Sequence, residues 1–377
     1  MDIMQKWWQP HGERVRSRRR FCVLIPLALA LIVAVAGCGG DDDDASSDAS
    51  DTTAGGDPST TVSNEPVTLR LGYFPNVTHA PALVGVEGGH IDEALGDNVT
   101  LETATFNAGP QVVEAIFSDA LDASFIGPNP AINAYAQDSE SIRIVSGVAS
   151  GGAFLVVKPD IKNAKDLEGK KVASPQLGNT QDVALRTWLK KKGLKTDTAG
   201  GGDVSIVPQE NAQTLDLFKQ GQIDGAWVPE PWATRLVQEG GGKVLVDERK
   251  LWPNGQYVTT HLIVRTKSLD DYPDVVKKLL EGHVAANALI RDDPARAKQL
   301  VGQGIDKATG KPIAPELVSA SFENLTFTND PIAPSLRKSA KDAEAVGLLK
   351  AVDLKGIYNL KLLNQVLRQQ GDPSLKA

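Results

Sequence analysis

Two kinds of hydrophobic pattern alternate along the chain from Val67 onward. Residues 67–71 alternate apolar and polar side chains with the period of two that predicts a β-strand. Residues 110–118 instead space their apolar side chains three and four positions apart, which predicts a helix packed by one face. We predict strands at 67–71, 98–105, 121–126 and 141–148, with helices between them. Strands that alternate with helices in this way indicate an α/β fold with a largely parallel sheet.

A second set of strands and helices follows the glycine pair at 151–152. Its predicted strands lie at 171–174, 203–207, 223–228 and 243–246, and its predicted helices lie at 179–192, 211–219 and 231–239. The sequence LDASFIGPNP at 121–130 is echoed by IDGAWVPEP at 223–231, with one residue fewer. Both predict a buried strand, a turn with two prolines and a helix start. We therefore expect two lobes of similar design.

The last part of the chain predicts one returning strand, at 257–265, and then helices alone. Since these helices have no sheet of their own, we expect them to pack on the first lobe. The predicted organisation is a first lobe over 66–152, a second lobe over 153–256 and a return to the first lobe over 257–377. The fold class is thus α/β with two lobes, each a mostly parallel sheet flanked by helices. Two crossings between lobes suit a hinged protein. The candidate hinge residues are Gly151, Gly152 and Gly255.

Residues 1–37 have the pattern of a signal peptide. Three consecutive arginines precede an uncharged apolar run over 21–36, which is short for a membrane span of about 20 residues. The run leads into VAGC at 35–38, which resembles the bacterial lipobox, whose cysteine becomes the lipid-bearing N-terminus. We expect lipidation at Cys38 and anchoring on the outer face of the cytoplasmic membrane, because several acyl chains attach a protein stably. The arginines also resemble a twin-arginine export signal, so the export route stays open.

Residues 38–65 predict a disordered acidic tether. They hold eight acidic residues, no basic residue and almost no large apolar side chain. The formal net charge of −7 therefore says little about the ligand of the folded part, although it argues against nucleic-acid binding. The two cysteines, Cys22 and Cys38, both precede the folded part. That part consequently has no disulfide, thiolate metal site or cysteine nucleophile.

Catalytic signatures are missing from the sequence. It contains no Gly-x-Ser-x-Gly elbow, P-loop, His-Glu-x-x-His motif or post-strand GxGxxG. His79 has no second histidine or cysteine close by to complete a metal site. We expect a binding protein rather than an enzyme, with no metal and no cofactor.

Four loops lie where α/β sheets bind ligands, between a strand end and a helix start. They span 73–79, 127–129, 176–180 and 229–232, and residues 259–261 lie on the returning strand. The four loops contain no Lys or Arg, so a bound anion would be held by neutral donors. Asn179 and Thr180 begin a helix whose free N–H groups and dipole favour an anion. Glu230 would repel an anion, and we expect it either to point elsewhere or to bind an amino group.

The sequence of these loops resembles bacterial ABC-transporter substrate-binding proteins of the nitrate/sulfonate/taurine class. The motifs that carry the resemblance are LGYFPNVTHAPALVG at 71–85, FIGPNPAINAY at 125–135, LGNTQDVAL at 177–185 and VPEPWA at 228–233. The resemblance covers residues 66–370. It implies a two-lobed periplasmic-binding fold that closes on a small solute and delivers it to a membrane permease driven by an ATPase. We expect a monomer that chemically transforms nothing, in which the solute stabilises the closed state.

The resemblance also implies which residues contact the solute. They are Tyr73, Asn76, Thr78, His79, Gly127, Asn129, Gly178, Asn179, Thr180 and Glu230, with Trp232 and His261 as further candidates. The best expectation for the solute is a small organic anion, an aliphatic sulfonate. Nitrate, taurine and a heterocyclic thiamine precursor stay open as alternatives. So do a lipid-anchored enzyme on the same fold and a scavenging lipoprotein without a transporter.

Overall fold

The computed structural model describes residues 67–377, which form two β-sheets flanked by helices. The strands are β1 (Val67–Tyr73), β2 (Val99–Thr105), β3 (Ala123–Ile126), β4 (Ile142–Gly151), β5 (Ala153–Val157), β6 (Lys171–Ser174), β7 (Ser205–Pro208), β8 (Gly225–Pro229), β9 (Lys243–Asp247), β10 (Val258–Arg265) and β11 (Leu325–Phe327). The helices are α1 (Ala80–Glu87), α2 (His90–Leu95), α3 (Gly109–Phe117), α4 (Pro128–Gln137), α5 (Thr180–Lys191), α6 (Asn211–Lys219), α7 (Trp232–Gln238), α8 (Thr266–Asp271), α9 (Pro273–Asp292), α10 (Pro294–Thr309), α11 (Pro315–Phe322), α12 (Ala333–Ala345) and α13 (Lys361–Gln369). Within the described residues, no helix is both long and apolar enough to cross a membrane. The predicted signal peptide, Cys38 and the predicted acidic tether lie outside the described residues.

The first sheet has six strands in the order β11-β4-β10-β3-β1-β2. Strand β1 pairs in parallel with β2 and β3, whereas β10 runs antiparallel to both β3 and β4. The sheet is therefore mixed, and the expected parallel arrangement holds only for β1, β2 and β3. The reason is that the returning strand β10 inserts between β3 and β4 in the opposite direction.

The second sheet repeats this plan with five strands in the order β7-β6-β8-β5-β9. Strands β7, β6 and β8 are parallel, and β5 inserts between β8 and β9 in the opposite direction. In each sheet the antiparallel insert is the strand that has just arrived from the other sheet. The carboxyl ends of three parallel strands consequently form one edge of each sheet.

The chain passes from the first sheet to the second at a pair of glycines. Strand β4 ends at Gly151 and β5 begins at Ala153, and both Gly151 (φ +85°) and Gly152 (φ +71°) adopt left-handed backbone conformations. A Cβ atom on Gly151 would meet the backbone oxygen of Asn324 at 2.7 Å. The return crossing contains two short 3₁₀ turns, Glu248–Leu251 and Pro253–Gly255. Glycine is required at the first crossing both for its backbone angles and for space.

The C-terminal helices contact both lobes. Helix α9 packs on α1 and α2, α10 packs on α1, and α13 packs on α9, all in the core of the first lobe, as the pattern predicts. Helix α12, however, contacts both α4 and α5, and α11 contacts α7 of the second lobe. Lys191 and Asp342 form an ion pair of 3.7 Å between α5 and α12. The C-terminal segment therefore lies against the second lobe as well as the first.

Two histidines are buried in the first lobe, His261 on β10 and His283 on α9. His283 Nε2 donates to the carbonyl oxygen of Gly147 at 3.0 Å, and His261 Nε2 donates to that of Pro331 at 3.0 Å. In both rings Nδ1 is buried and finds no partner among the described residues. Burial lowers the pKa of each imidazole to about 4. Both rings are therefore neutral in the folded protein near pH 7.

Replacing Gly151 by alanine is expected to destabilise the protein by about 2–3 kcal/mol, because the left-handed backbone and the close Asn324 oxygen both oppose a Cβ atom. The control is Gly310→Ala, since Gly310 has a similar φ of +64° but no atom within 4 Å of the added carbon. That control is expected to lose only about 1 kcal/mol. Urea denaturation of both variants measures the difference, and equal losses would show that the crossing tolerates the added atom.

Replacing His283 by glutamine is expected to make the free energy of unfolding depend less steeply on pH in the acid range. The unfolded chain binds a proton on this histidine below about pH 6.5, whereas the folded chain does so only near pH 4. Stability therefore falls as the pH drops through this window, by at most about 1.4 kcal/mol per pH unit for one group. The free energy of unfolding, measured from pH 7 to 4, should fall less steeply in the variant. Parallel curves would contradict a neutral His283.

Candidate functional site

The carboxyl ends of the parallel strands of both sheets face a common small cavity. Its volume is about 20 Å³. The lining residues are Phe74, Asn76, Thr78, His79, Asn107, Gly127, Asn179, Thr180, Gln181, Asn211, Pro229, Thr259 and Thr260. These residues follow β1, β2 and β3 in the first lobe and β6, β7 and β8 in the second, or lie on β10. The lining contains amide, hydroxyl and imidazole groups but no Lys, Arg, Asp or Glu.

The second lobe presents the N-terminus of α5 to this cavity. Asn179 precedes the helix in an extended conformation and makes no side-chain cap. Within the described residues, the backbone N–H groups of Thr180 and Gln181 have no acceptor, and the buried Thr180 hydroxyl has no partner. Free N–H groups at a helix start carry the positive end of the helix dipole. This end of α5 therefore offers several hydrogen-bond donors without acceptors, an arrangement that is suited to binding an anion.

A buried ion pair fixes the loop that leads into α5. Asp182 accepts hydrogen bonds from the Gly178 N–H at 3.0 Å, the Ser174 hydroxyl at 2.8 Å and Arg186 Nε at 3.0 Å. The Arg186 guanidinium also donates to the carbonyl oxygen of Asp197. Both members of the pair are fully buried. Because each is the other's counter-charge, the pair holds the loop rigid without adding net charge beside the cavity.

The first lobe contributes a neutral histidine. His79 Nδ1 accepts a hydrogen bond from the Phe74 N–H at 3.3 Å, and its ring stacks on Phe74 with 4.4 Å between ring centroids. Since Nδ1 is the acceptor, Nε2 carries the ring proton. Burial lowers the pKa of His79 to about 3. The side chain is therefore an uncharged donor at physiological pH, held in place by its neighbours.

Two hydrogen bonds join the lobes at the mouth of the cavity. Trp232 Nε1 donates to Asn76 Oδ1 at 2.9 Å, and Asn107 Nδ2 donates to Glu210 Oε1 at 2.8 Å. Each bond pairs one residue of the first lobe with one of the second. The structure thus places the two lobes in direct contact around the cavity.

The Glu230 carboxylate bonds to the C-terminal segment instead of lining the cavity. It accepts hydrogen bonds from the N–H and hydroxyl of Thr234, from Asn324 Nδ2 at 2.8 Å and from the Ser321 hydroxyl at 3.3 Å. Burial raises the pKa of Glu230, while these hydrogen bonds favour its charged form. Of the two outcomes expected for Glu230, the structure has the one in which it points elsewhere, so it does not oppose an anion in the cavity.

The other nominated residues divide into two groups. Six line the cavity: Asn76, Thr78, His79, Gly127, Asn179 and Thr180. The remainder do not. Tyr73 belongs to the core of the first lobe, and Asn129 Nδ2 donates to the carbonyl oxygen of Ser339. His261 Nε2 donates to the carbonyl oxygen of Pro331, away from the cavity. Gly178 lies in the loop before α5, where its N–H donates to Asp182. Trp232 lies at the mouth of the cavity, where it donates to Asn76.

Although residues 259–261 were noted beside the four candidate loops, the predicted solute contacts leave out five polar residues of the lining. They are Asn107, Gln181, Asn211, Thr259 and Thr260. Asn107 and Asn211 follow β2 and β7, whose carboxyl-end loops were left out although they obey the same positional rule as the other four. Thr259 and Thr260 precede His261 on β10, where the pairing with β4 is irregular, so these two neighbouring residues both line the cavity whereas the His261 side chain bonds to Pro331.

Known proteins share this fold and parts of this sequence. The taurine-binding periplasmic protein of Escherichia coli (strain K12) is 29% identical over 194 residues, which span 51% of this chain and 58% of that protein. The alkanesulfonate-binding protein SsuA from Xanthomonas axonopodis pv. citri, solved bound to MOPS, has a TM-score of 0.64 at 20% identity and covers 76% of this chain and 96% of its own.

The periplasmic nitrate-binding protein NrtA from Synechocystis PCC 6803 has a TM-score of 0.67 at 16% identity and covers 82% of this chain and 90% of its own. These structural likenesses confirm the expected two-lobed periplasmic-binding fold. The sequence model of the NMT1-like family matches residues 63–303 of this chain. Because that match spans more than half of the chain, the chain belongs to the NMT1-like family.

Proposed function

We propose that this protein is the extracytoplasmic solute-binding lipoprotein of an ABC importer and that it captures a small organic monoanion, an aliphatic sulfonate, between its lobes. The observation that carries the proposal is the cavity lined from both lobes by neutral donors, with the free N–H groups of Thr180 and Gln181 at one side. A sulfonate has three oxygens that accept several hydrogen bonds at once. The loaded protein would deliver the solute to a membrane permease and its ATPase, as a monomer held at the membrane through Cys38.

The absence of a cation from the lining favours a singly charged solute. A dianion such as sulfate would bring two charges into a site whose donors carry only partial charges, and desolvating the second charge would go uncompensated. A monoanion spreads one charge over donors such as Thr180, Asn179 and His79. Taurine and alkanesulfonate, after which two of the relatives are named, each carry a single sulfonate group, and taurine also carries an amino group.

Capture would work by a shift of population between open and closed states. A solute bonded to α5 in one lobe and to Asn76, Thr78 and His79 in the other stabilises the closed arrangement more than the open one. The crossings at Gly151–Gly152 and near Gly255 are where the backbone would absorb the motion. No chemical transformation is part of this proposal.

An alkanesulfonate is expected to raise the thermal midpoint of the full chain, whereas sulfate is not. A solute at 100 times its dissociation constant adds about 2.7 kcal/mol to the free energy of unfolding. For a protein of this size that corresponds to roughly 5 °C. The panel includes alkanesulfonates, taurine, nitrate, bicarbonate, a thiamine-precursor pyrimidine and sulfate. A shift with the pyrimidine or with nitrate, and none with any sulfonate, would overturn the sulfonate assignment.

Replacing Thr180 by valine is expected to weaken sulfonate binding about 10- to 100-fold, because a hydrogen bond to a charged group is worth about 1.5–3 kcal/mol. Stability should stay the same or rise, since the buried Thr180 hydroxyl has no partner among the described residues. The matched control is Thr214→Val, because the Thr214 hydroxyl is likewise buried and unpartnered there but does not line the cavity. Calorimetric titration and thermal unfolding measure both effects. Equal affinities of the two variants would contradict a solute at α5.

A further inference from the structure

A larger cavity opens directly outside the small one. We call it the outer groove, and its volume is about 530 Å³. It shares Asn76, Asn107 and Asn211 with the small cavity, so the two spaces meet at these three side chains. Two of them, Asn76 and Asn107, are bonded across the lobes to Trp232 and Glu210, so a solute that occupied both spaces would pass between these side chains.

The wall of the outer groove is mixed, with apolar side chains that come from three parts of the fold. Phe106 extends from the first lobe, Leu215 and Trp232 from the second, and Ile313 and Leu317 from the connection between α10 and α11 and from α11 itself. The planar Arg235 guanidinium lies over the Trp232 ring, 4.9 Å from its centroid, at the edge of this wall. Such a surface gains free energy by burying an organic body.

Charges at the rim of the outer groove disfavour a second anionic group. Arg235 is paired with Glu239 at 2.6 Å, which neutralises both. The remaining charged side chains of the lining are Glu210, Asp216 and Lys311. Acids thus outnumber bases by one around the groove, and a second negative group on the solute would be repelled.

Part of this wall is formed by residues that lie after the region matched by the family. The family match ends at residue 303, whereas the groove lining continues from Ile305 to Leu317. That segment reaches the groove because α11 is held against the second lobe by the bonds of Ser321 and Asn324 to Glu230.

We propose that the outer groove is a second subsite, which binds the uncharged organic body of a monoanionic solute and selects for bodies of about four or more carbons. The small cavity of about 20 Å³ has no room for the body of such a solute, and the outer groove is a space that shares lining residues with it. This inference rests on the proposed function and deepens it: among alkanesulfonates, the preferred solutes are those with longer, singly charged chains.

The test is calorimetric titration of the full chain with methanesulfonate, butanesulfonate, hexanesulfonate and butane-1,4-disulfonate. Hexanesulfonate should bind at least about tenfold more tightly than methanesulfonate, which is less than full burial of five methylenes would give. Butane-1,4-disulfonate should bind more weakly than butanesulfonate. Equal affinity for methane- and hexanesulfonate would overturn the subsite but leave the proposed function intact. No binding of any sulfonate would overturn both.

A groove-filling variant separates the subsite from general effects of chain length. Ala314 is exposed and lines the outer groove, so Ala314→Trp should reduce hexanesulfonate affinity about tenfold, to near that of methanesulfonate, which itself should change little. The matched control is Ala351→Trp, at an exposed alanine that does not line the groove. It should leave both affinities unchanged. If Ala314→Trp weakened both sulfonates equally, or neither, the groove would not bind the body.

Discussion

Unsatisfied hydrogen-bond donors at the facing edges of two sheets are the constraint on which the rest of this structure depends. Each lobe inserts its newly arrived strand antiparallel to three parallel strands, and this leaves the carboxyl ends of those three strands together at one edge. Helix starts gather at these edges, and at α5 the first N–H groups have no acceptor in the described part of the chain. Buried donors without acceptors are costly. A solute that supplies the acceptors therefore stabilises the arrangement in which both edges meet.

The charges nearest the cavity are arranged so that they do not compete with this role. Asp182 and Arg186 neutralise each other beneath the α5 loop, and burial keeps His79 uncharged. The Glu230 carboxylate accepts hydrogen bonds from Thr234, Ser321 and Asn324, and these bonds connect the second lobe to α11 and the residues after it. The result is a site whose preference for an anion comes from oriented dipoles rather than from a cation. Such a site discriminates by the number of charges and by the shape of the head group, and the outer groove adds discrimination by the body.

The pattern of the sequence predicted most of the fold because periodicity reports which face of an element is buried. Helix α6 and strand β6 have their predicted bounds, and the two lobes follow from the repeated strand–turn–helix unit. Strand β5 was missed because its five residues are all buried, so it shows no alternation, and it directly follows β4. Six cavity residues were among those implied by the family resemblance, and they lie in loops that follow strands or at the helix starts after them. Glu230 and Asn129 also follow strands but do not line the cavity. Their side chains bond to residues far away in the sequence, Glu230 to Ser321 of α11 and to Asn324, and Asn129 to Ser339 of α12. No local sequence pattern reveals such tertiary contacts.

The proposed mode of binding requires that one anionic head group is held from both lobes at once. A crystal structure of the chain grown with an alkanesulfonate tests it most directly. Sulfonate oxygens are expected at hydrogen-bonding distances of about 2.7–3.2 Å from the N–H and hydroxyl groups of Thr180, and also from Nε2 of His79. A sulfonate bound to one lobe alone, or at another place in the fold, would contradict the account.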